Sequence, residues 1–213
     1  MAQQLKDEVE GRIRAAALEL FAREGYRRAT VAGIARLAKI STGNVYRYHR
    51  GKRDLFETVV PAALASELRK LVHHRVRALE GVSDVTTQGP GTAYHQFTEE
   101  LIAFAVRKRL EVIILLSKSE GTVHERYAAA LRRDLERLAL EHFAGEAPRA
   151  RKDPHMRSTL ERVYRSWLQT LVAILEASGE ERAIRAAVDR FSAYHLAGLK
   201  GLFTAARPNM DIA

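Results

Sequence analysis

The chain has 213 residues, 46% of them hydrophobic, no cysteine and a formal net charge of +9. That length and apolar content suit one large helical domain or a small domain joined to a larger one, and the lack of cysteine excludes disulfides and thiolate metal sites. No apolar run is long enough to cross a bilayer, and the opening MAQQLKDEVEGRIR lacks the apolar core of a signal peptide, so a soluble protein of the reducing cytoplasm, without membrane association, is expected.

Helical periodicity runs through nearly the whole chain, which predicts an all-α fold. In RIRAAALELFAREGY the apolar set Ile13, Ala16, Ala17, Leu20 and Phe21 repeats as one helical face, and Gly25 is placed to end that helix. Thr30 is a cap for a short second helix with Val31, Ile34, Ala35 and Ala38 facing inward, ending near Lys39. Ser41 caps a third, TGNVYRY, and Gly51 separates it from a fourth that begins at Lys52 and is expected to reach about Glu80. Pro61 lies inside that fourth helix and lacks the amide that would bond the Glu57 carbonyl, so a kink or junction is expected there.

The segment 81–91, GVSDVTTQGPG, reads as a loop. Helical patterns follow at about 92–106, 108–118 and 121–144, with a second break at 145–154. Beyond it Leu160, Val163, Tyr164, Trp167, Leu168, Leu171, Val172 and Leu175 form a wide apolar stripe, and a last helix over about 180–206 carries Ile184, Val188, Phe191, His195, Leu199 and Leu202.

Charge is uneven along these elements. Residues 1–56 hold 12 Lys or Arg against 6 Asp or Glu. Between 23 and 53, Arg23, Arg27, Arg28, Arg36, Lys39, Arg47, Arg50, Lys52 and Arg53 face only Glu24, which points to a polyanionic partner. A short helix, a tight turn and a second helix started by a hydroxyl residue form a helix-turn-helix, whose second helix enters the DNA major groove by its N-terminal end. Thr42 and Asn44 then offer short donors and acceptors to base edges, and Gly43 leaves room for the backbone at the groove floor. Thr30, Ser41, Tyr46, Arg47, Tyr48, His49 and Lys52 are the candidates for phosphate contacts that set register without reading sequence.

Residues 13–56, with helix, Gly-Tyr, Thr, Ile-Ala, Ser-x-Gly, Tyr-x-Tyr and Lys-x-x-Leu-Phe in that order, resemble the TetR family of transcriptional regulators. The resemblance implies a helix-turn-helix DNA-binding domain over 1–51 and a helical effector-binding and dimerisation domain over 52–213. It implies a regulator, most simply a repressor, that binds a pseudo-palindromic operator as a homodimer and is released by a small-molecule effector. Three positions depart from the family pattern: Lys39 stands where glycine is usual in the turn, His49 replaces an aromatic, and Gly33 takes a position often acidic.

Within the second domain, Phe97, Phe104, Tyr127 and Trp167 are candidates to line an effector pocket, which would suit a lipophilic or aromatic ligand; packing in the core is their alternative role. Trp167, Leu171, Phe191, His195, Gly198 and Leu202 are candidates for the dimer interface, because Ala197, Gly198 and Gly201 would let a second helix approach closely. The histidines lack ligand spacing, so no metal and no cofactor is assigned, and no P-loop, GxGxxG or GxSxG motif supports an enzyme. The competing reading is a helical ligand- or protein-binding module without sequence-specific DNA binding.

Overall fold

A computed structural model of the chain describes residues 2–82, 84–142 and 152–205. Its elements, in order, are α1 (Ala2–Arg28), α2 (Val31–Leu37), α3 (Thr42–Tyr48), α4 (Lys52–Val59), α5 (Ala62–Arg77), a 3-10 turn (Val85–Thr87), α6 (Ala93–Arg107), α7 (Arg109–Ile113), a π-helical turn (Ile114–Lys118), α8 (Tyr127–His142), α9 (Pro154–Ala177) and α10 (Glu181–Ala205). The fold is all-α, and no strand occurs among the described residues. No described helix is long and apolar enough to cross a membrane.

The chain divides into two compact units: residues up to Glu67 together with Lys108–Ala128, and Leu68–Arg107 together with those from Ala129 onward. The first unit therefore contains the expected domain 1–51 but continues through α4 into α5 and takes in a segment from mid-chain. The chain passes between the units at 67/68, 107/108 and 128/129.

In the first unit, α1 buries Ile13, Ala16, Ala17, Leu20 and Phe21, the face its periodicity predicts. Gly25 breaks the helical path with φ 77, a left-handed conformation that glycine adopts without steric cost. Phe21 and Tyr26 meet the Phe56 ring edge-on at 5.4 and 5.0 Å. Val112, Ile113, Ile114, Leu115 and Leu116 are all buried, and both α7 and the π-helical turn pack on α1. Each large side chain so enclosed contributes about 1.5–3 kcal/mol, which is how a segment from mid-chain is held in the N-terminal unit.

The expected fourth helix is two helices. α4 ends at Val59 and α5 begins at Ala62, with Val60 at φ −125 and ψ 70 between them. Pro61 starts the next helix, its carbonyl accepting from Leu64 and Ala65 amides. The buried His124 ring reaches across to the Val60 carbonyl, Nε2 to O 3.0 Å, so Nε2 carries the proton. The helix expected over 121–144 starts only at Tyr127, because Gly121 at φ 82 and the hydroxyl turns of Ser119 and Thr122 hold 119–126 outside it. The Tyr127 hydroxyl donates to the Ala65 carbonyl at 2.9 Å, a second tie onto the start of α5.

In the second unit, α9 buries Leu160, Tyr164, Trp167, Leu168, Val172 and Leu175, and α10 packs on both α6 and α9. Asp153 caps α9 by accepting from the His155 amide at 2.8 Å. The loop over 81–91 is organised by Asp84, which accepts from the Thr86 amide and hydroxyl and pairs with Lys200 at 2.7 Å. The Lys200 ammonium, and then Thr86, hold the Asp84 carboxyl well below the usual carboxylate range. Up to residue 151, the expected break at 145–154 lies outside the described residues.

The His124 tie generates a prediction. In His124→Ala the Val60 carbonyl loses its partner and Phe56 loses a neighbouring ring at 6.3 Å. Stability in urea should fall by about 2–4 kcal/mol. A loss under about 0.5 kcal/mol, the scatter of ordinary surface changes, would show that the junction does not depend on this ring.

Candidate functional site

The helix-turn-helix is built by two hydroxyl caps and one strained residue. Thr30 Oγ1 accepts from the Gly33 amide at 3.0 Å to start α2, and Ser41 Oγ accepts from the Asn44 amide at 3.2 Å to start α3. Between them Lys39 adopts φ 56. The turn thus keeps the left-handed geometry for which glycine is usual and tolerates lysine there, at a cost of about 1–2 kcal/mol. The Ile40 amide donates to the Ala35 carbonyl at 3.0 Å and closes the turn. α3 buries Val45 completely and leaves Thr42, Gly43, Tyr46 and Arg47 exposed, with Asn44 and Tyr48 half-buried. Tyr46 is 55% exposed, so it is a surface residue and not a cover for the three-helix core. A Cβ added at Gly43 would meet only Ser41 Oγ, at an ordinary 3.9 Å, so nothing within the protein requires glycine there.

Two of the residues expected to meet phosphates are turned inward. The Lys52 ammonium donates to the carbonyls of Tyr26 at 2.9 Å and Ala29 at 3.0 Å, with Arg27 at 3.4 Å, and lies 4.4 Å from the Tyr26 ring centroid. His49 is only 4% exposed; its Nδ1 faces Asp54 at 3.3 Å and its Nε2 is buried without a partner. Asp54 also accepts from the Arg50 amide at 3.2 Å, so this carboxylate organises the link between α3 and α4. Sequence reasoning misses both arrangements because the partners of Lys52 are backbone carbonyls more than twenty positions upstream.

The cations of the basic block divide in the same way. Arg23 pairs with Glu19 and Glu24, Arg27 with Glu120 and Arg53 with Glu57, while Arg28 donates to the Glu24 carbonyl. Arg36, Lys39, Arg47 and Arg50 are exposed, and their side chains have no ion-pair or hydrogen-bond partner among the described residues. All four lie on α2, on the turn, on α3 or just after it.

The residues expected to line a pocket do not form one set. Tyr127 belongs to the first unit; Phe97, Phe104 and Trp167 belong to the second. Phe104 is buried with the Arg107 guanidinium 5.9 Å from its ring, and Phe97 is half-buried beside His74 at 5.4 Å. A cavity of about 290 Å³ in the second unit is lined by Arg133, Glu136, Arg137, Leu140, Glu141, Arg157 and Leu160, none of them aromatic.

Trp167 sits in a different environment. It is 6% exposed, stacks on Phe191 at 6.4 Å, and lies 5.9 Å from the His195 ring, which also meets Tyr164 at 5.4 Å. Its indole Nε1 has no hydrogen-bond partner among the described residues. Beside this group is a feature that sequence reasoning did not single out: Arg75, 6% exposed, donates from Nε to Thr98 Oγ1 at 2.9 Å and from Nη2 to Ser192 Oγ at 3.1 Å, and lies over the Tyr94 ring at 4.6 Å. Burial, and then the Arg75 charge, push the His195 imidazole down to about 4, so it is neutral at neutral pH. Burial pushes the Tyr164 hydroxyl above its ordinary range, with Arg75 opposing.

Of the residues expected at a dimer interface, Trp167 is internal. Leu171, Phe191, His195 and Leu202 are half-buried and Gly198 is exposed. Nothing lies within 4 Å of a Cβ added at Gly198 or Gly201, and Tyr194 on the same helix is 75% exposed.

These features define the class: an all-α protein with a capped helix-turn-helix in its N-terminal unit. Residues 13–59 match the family described as bacterial regulatory proteins, tetR family. The match takes in part of α1 and all of α2, α3 and α4, so it is the helix-turn-helix segment that is similar to that family. In fold the chain is similar to a TerR/AcrR-family transcriptional regulator from Aquifex aeolicus VF5, at 17% identity and a TM-score of 0.49 over 91% of this chain and 99% of that one. It is similar also to a TetR-like transcriptional regulator from Rhodococcus sp. RHA1, at 18% identity and a TM-score of 0.45 over 91% and 96%. A third is NalD, the secondary repressor of the MexAB-OprM multidrug efflux pump in Pseudomonas aeruginosa, at 18% identity and a TM-score of 0.38 over 96% and 99%. No curated protein sequence matches the chain.

The placement of Lys52 is testable against its alternative. Lys52→Met keeps the apolar stem but removes the ammonium from the end of α1, and should lower stability by about 1.5–3 kcal/mol. The salt dependence of DNA binding should stay as it was. Arg47→Ala should leave stability unchanged and flatten the salt slope by about one counterion per subunit. The reverse pattern, read from urea curves and salt titrations of binding, would place Lys52 on a phosphate.

Proposed function

We propose that the protein represses transcription by binding a pseudo-palindromic operator as a homodimer and leaves it when a small-molecule effector enters the second unit. The observation that carries the DNA half of this reading is the set of exposed, unpartnered cations, Arg36, Lys39, Arg47 and Arg50, flanking the Ser41-capped start of α3. Four like charges without internal partners form a field suited to phosphates on either side of a groove. Thr42, Gly43 and Asn44 are the bet for base reading, since they occupy the N-terminal turn that enters the major groove. Ser41 and Thr30 use their oxygens as caps, which leaves each hydroxyl proton for a phosphate oxygen. Tyr46, Arg47 and Tyr48 remain candidate positioners, whereas the geometry supports internal roles for His49 and Lys52.

Dimerisation is supported by α10. Gly198 and Gly201 lower helix propensity by about 1 kcal/mol each relative to alanine, yet no internal neighbour occupies the space they leave. A second copy of the helix approaching that face would account for both glycines and for exposed Tyr194. Two recognition helices about 34–36 Å apart then read successive major grooves, and an effector acts by favouring an arrangement that no longer matches that spacing.

Selection of bound sequences from random duplexes tests the reading directly, because a binding module without operator recognition would enrich none. Asn44→Ala should relax preference at one base pair per half-site by about 1–3 kcal/mol; unchanged selectivity would remove Asn44 as a reader. Gly198→Leu, placed where no internal atom is displaced, should give helical monomers with weakened operator binding. A dimer that persists in sedimentation would move the interface elsewhere.

A further inference from the structure

Arg75 lies inside the second unit and has no ion-pair partner among the described residues. Its two hydrogen bonds end on the neutral hydroxyls of Thr98 and Ser192, and Nη1 has no partner among the described residues. Several carboxylates of the second unit pair with other cations: Glu99 with Arg185, Asp84 with Lys200, Glu136 with Arg132, and Asp134 with Arg69 and His73. A guanidinium removed from water without a paired anion is costly, so buried charges are normally matched.

Two further donors in the same core are idle. The Trp167 Nε1 and the Tyr94 hydroxyl are buried and have no hydrogen-bond partner among the described residues. Tyr94 meets Arg75 through its ring at 4.6 Å, and Trp167 is in ring contact with His195, whose imidazole the Arg75 charge reaches. Unpaired donors on apolar rings around a bare cation are what a negatively charged ligand with an apolar body would satisfy: the charge takes the fork of the guanidinium, and the rings cover the body. His195, neutral and apolar-faced, does not compete for the anion.

We infer that the effector is an organic carboxylate with an apolar or aromatic body, held through its carboxylate by Arg75 and by the idle donors of Trp167 and Tyr94. The inference rests on the effector reading of the second unit and deepens it by assigning the ligand's charge and the residue that selects it.

The single tryptophan makes the test direct, since Trp167 is the only one in the chain. The full-length protein is titrated with benzoate and octanoate, and in parallel with the neutral isosteres benzamide and octanamide, while Trp167 emission, the melting temperature and operator release are followed. Carboxylates should shift the emission saturably and raise the melting temperature, with the amides about 30-fold weaker, the discrimination of a desolvated charge pair. Arg75→Gln should abolish that preference, and Arg75→Lys should keep part of it.

Equal binding of acids and amides, or an acid preference that survives in Arg75→Gln, overturns the inference. So does an unperturbed Trp167 with every probe, which would make Arg75 a clamp between α5, α6 and α10. Should Arg75→Gln fail to fold, the acid-to-amide ratio in the parent protein decides alone. The two readings fail separately: amides that release operator as well as acids do leave the regulator standing and remove the anion, whereas acid-selective binding in a protein that selects no operator keeps the anion site and removes the repressor.

Discussion

The Lys52 ammonium sits on the carbonyls of Tyr26 and Ala29, and the geometry of the N-terminal unit follows from that contact. The left-handed Gly25 interrupts α1, so the carbonyls beyond it lack the amides that a continuing helix would supply. One cation from the first residue of α4 satisfies them and ties the end of α1 to the start of α4. Two residues on, Asp54 holds the Arg50 amide and faces His49. The recognition helix is thereby bracketed, by the Ser41 cap in front and by the Asp54 cluster behind. With seven residues α3 is far too short to be stable in isolation. Its position is therefore set by Val45, by the turn from α2 and by these two clamps, not by its own propensity.

The same contact explains why net charge is a poor map of the surface that meets DNA. The excess of positive charge in the first quarter of the chain includes cations that close helices or pair with acids, and these are not equivalent. The pairs of Arg23 and Arg53 are solvent-exposed and weakly held, so they could rearrange near a polyanion at little cost. Lys52 is half-buried against three carbonyls and a ring, and moving it would leave those carbonyls without a donor. Between residues 23 and 53, what remains free without any rearrangement is the quartet on α2, on the turn, on α3 and just after it, so within that block the free charge lies where the helix-turn-helix is exposed.

Much of the N-terminal unit was legible because its determinants are local. Apolar spacing, Thr30 and Ser41 as caps, Gly25 as a terminator and Pro61 as an interruption each act within a turn or two, and each appears where the pattern places it. The roles of Lys52 and His49 were not legible, since charge and type suggested phosphate contacts, while tertiary structure brings the Tyr26 and Ala29 carbonyls to Lys52 and the link between α3 and α4 brings Asp54 back to His49. The docking of 108–128 into the first unit was equally hidden, because an apolar run such as VIILL reveals that it is buried and not against what. Arg75 carried no signal at all: in HHRVRALE it is one cation among several, and its burial depends on α6 and α10, far along the chain.

Gly33 shows how packing can outweigh a local helix rule. Glycine at this position lowers helix propensity by about 1 kcal/mol and removes the acid that would complete a capping box. Yet a Cβ there would stand 3.0 Å from Leu20 Cδ2 and 3.2 Å from Thr30 Oγ1. The bare backbone lets α2 lie against the core face of α1, with Leu20 itself buried, and lets the Gly33 amide reach the Thr30 hydroxyl that starts the helix. A side chain would gain propensity but push α2 away from α1 or turn Thr30 out of its cap, and either movement would carry the turn and α3 with it. Lys39 follows the same logic from the other side, accepting left-handed strain to keep the turn closed while placing a free cation beside the recognition helix. At both positions the placement of α3 outweighs local helix propensity, which is the expected order of priorities in a domain whose shortest helices must be held by their neighbours.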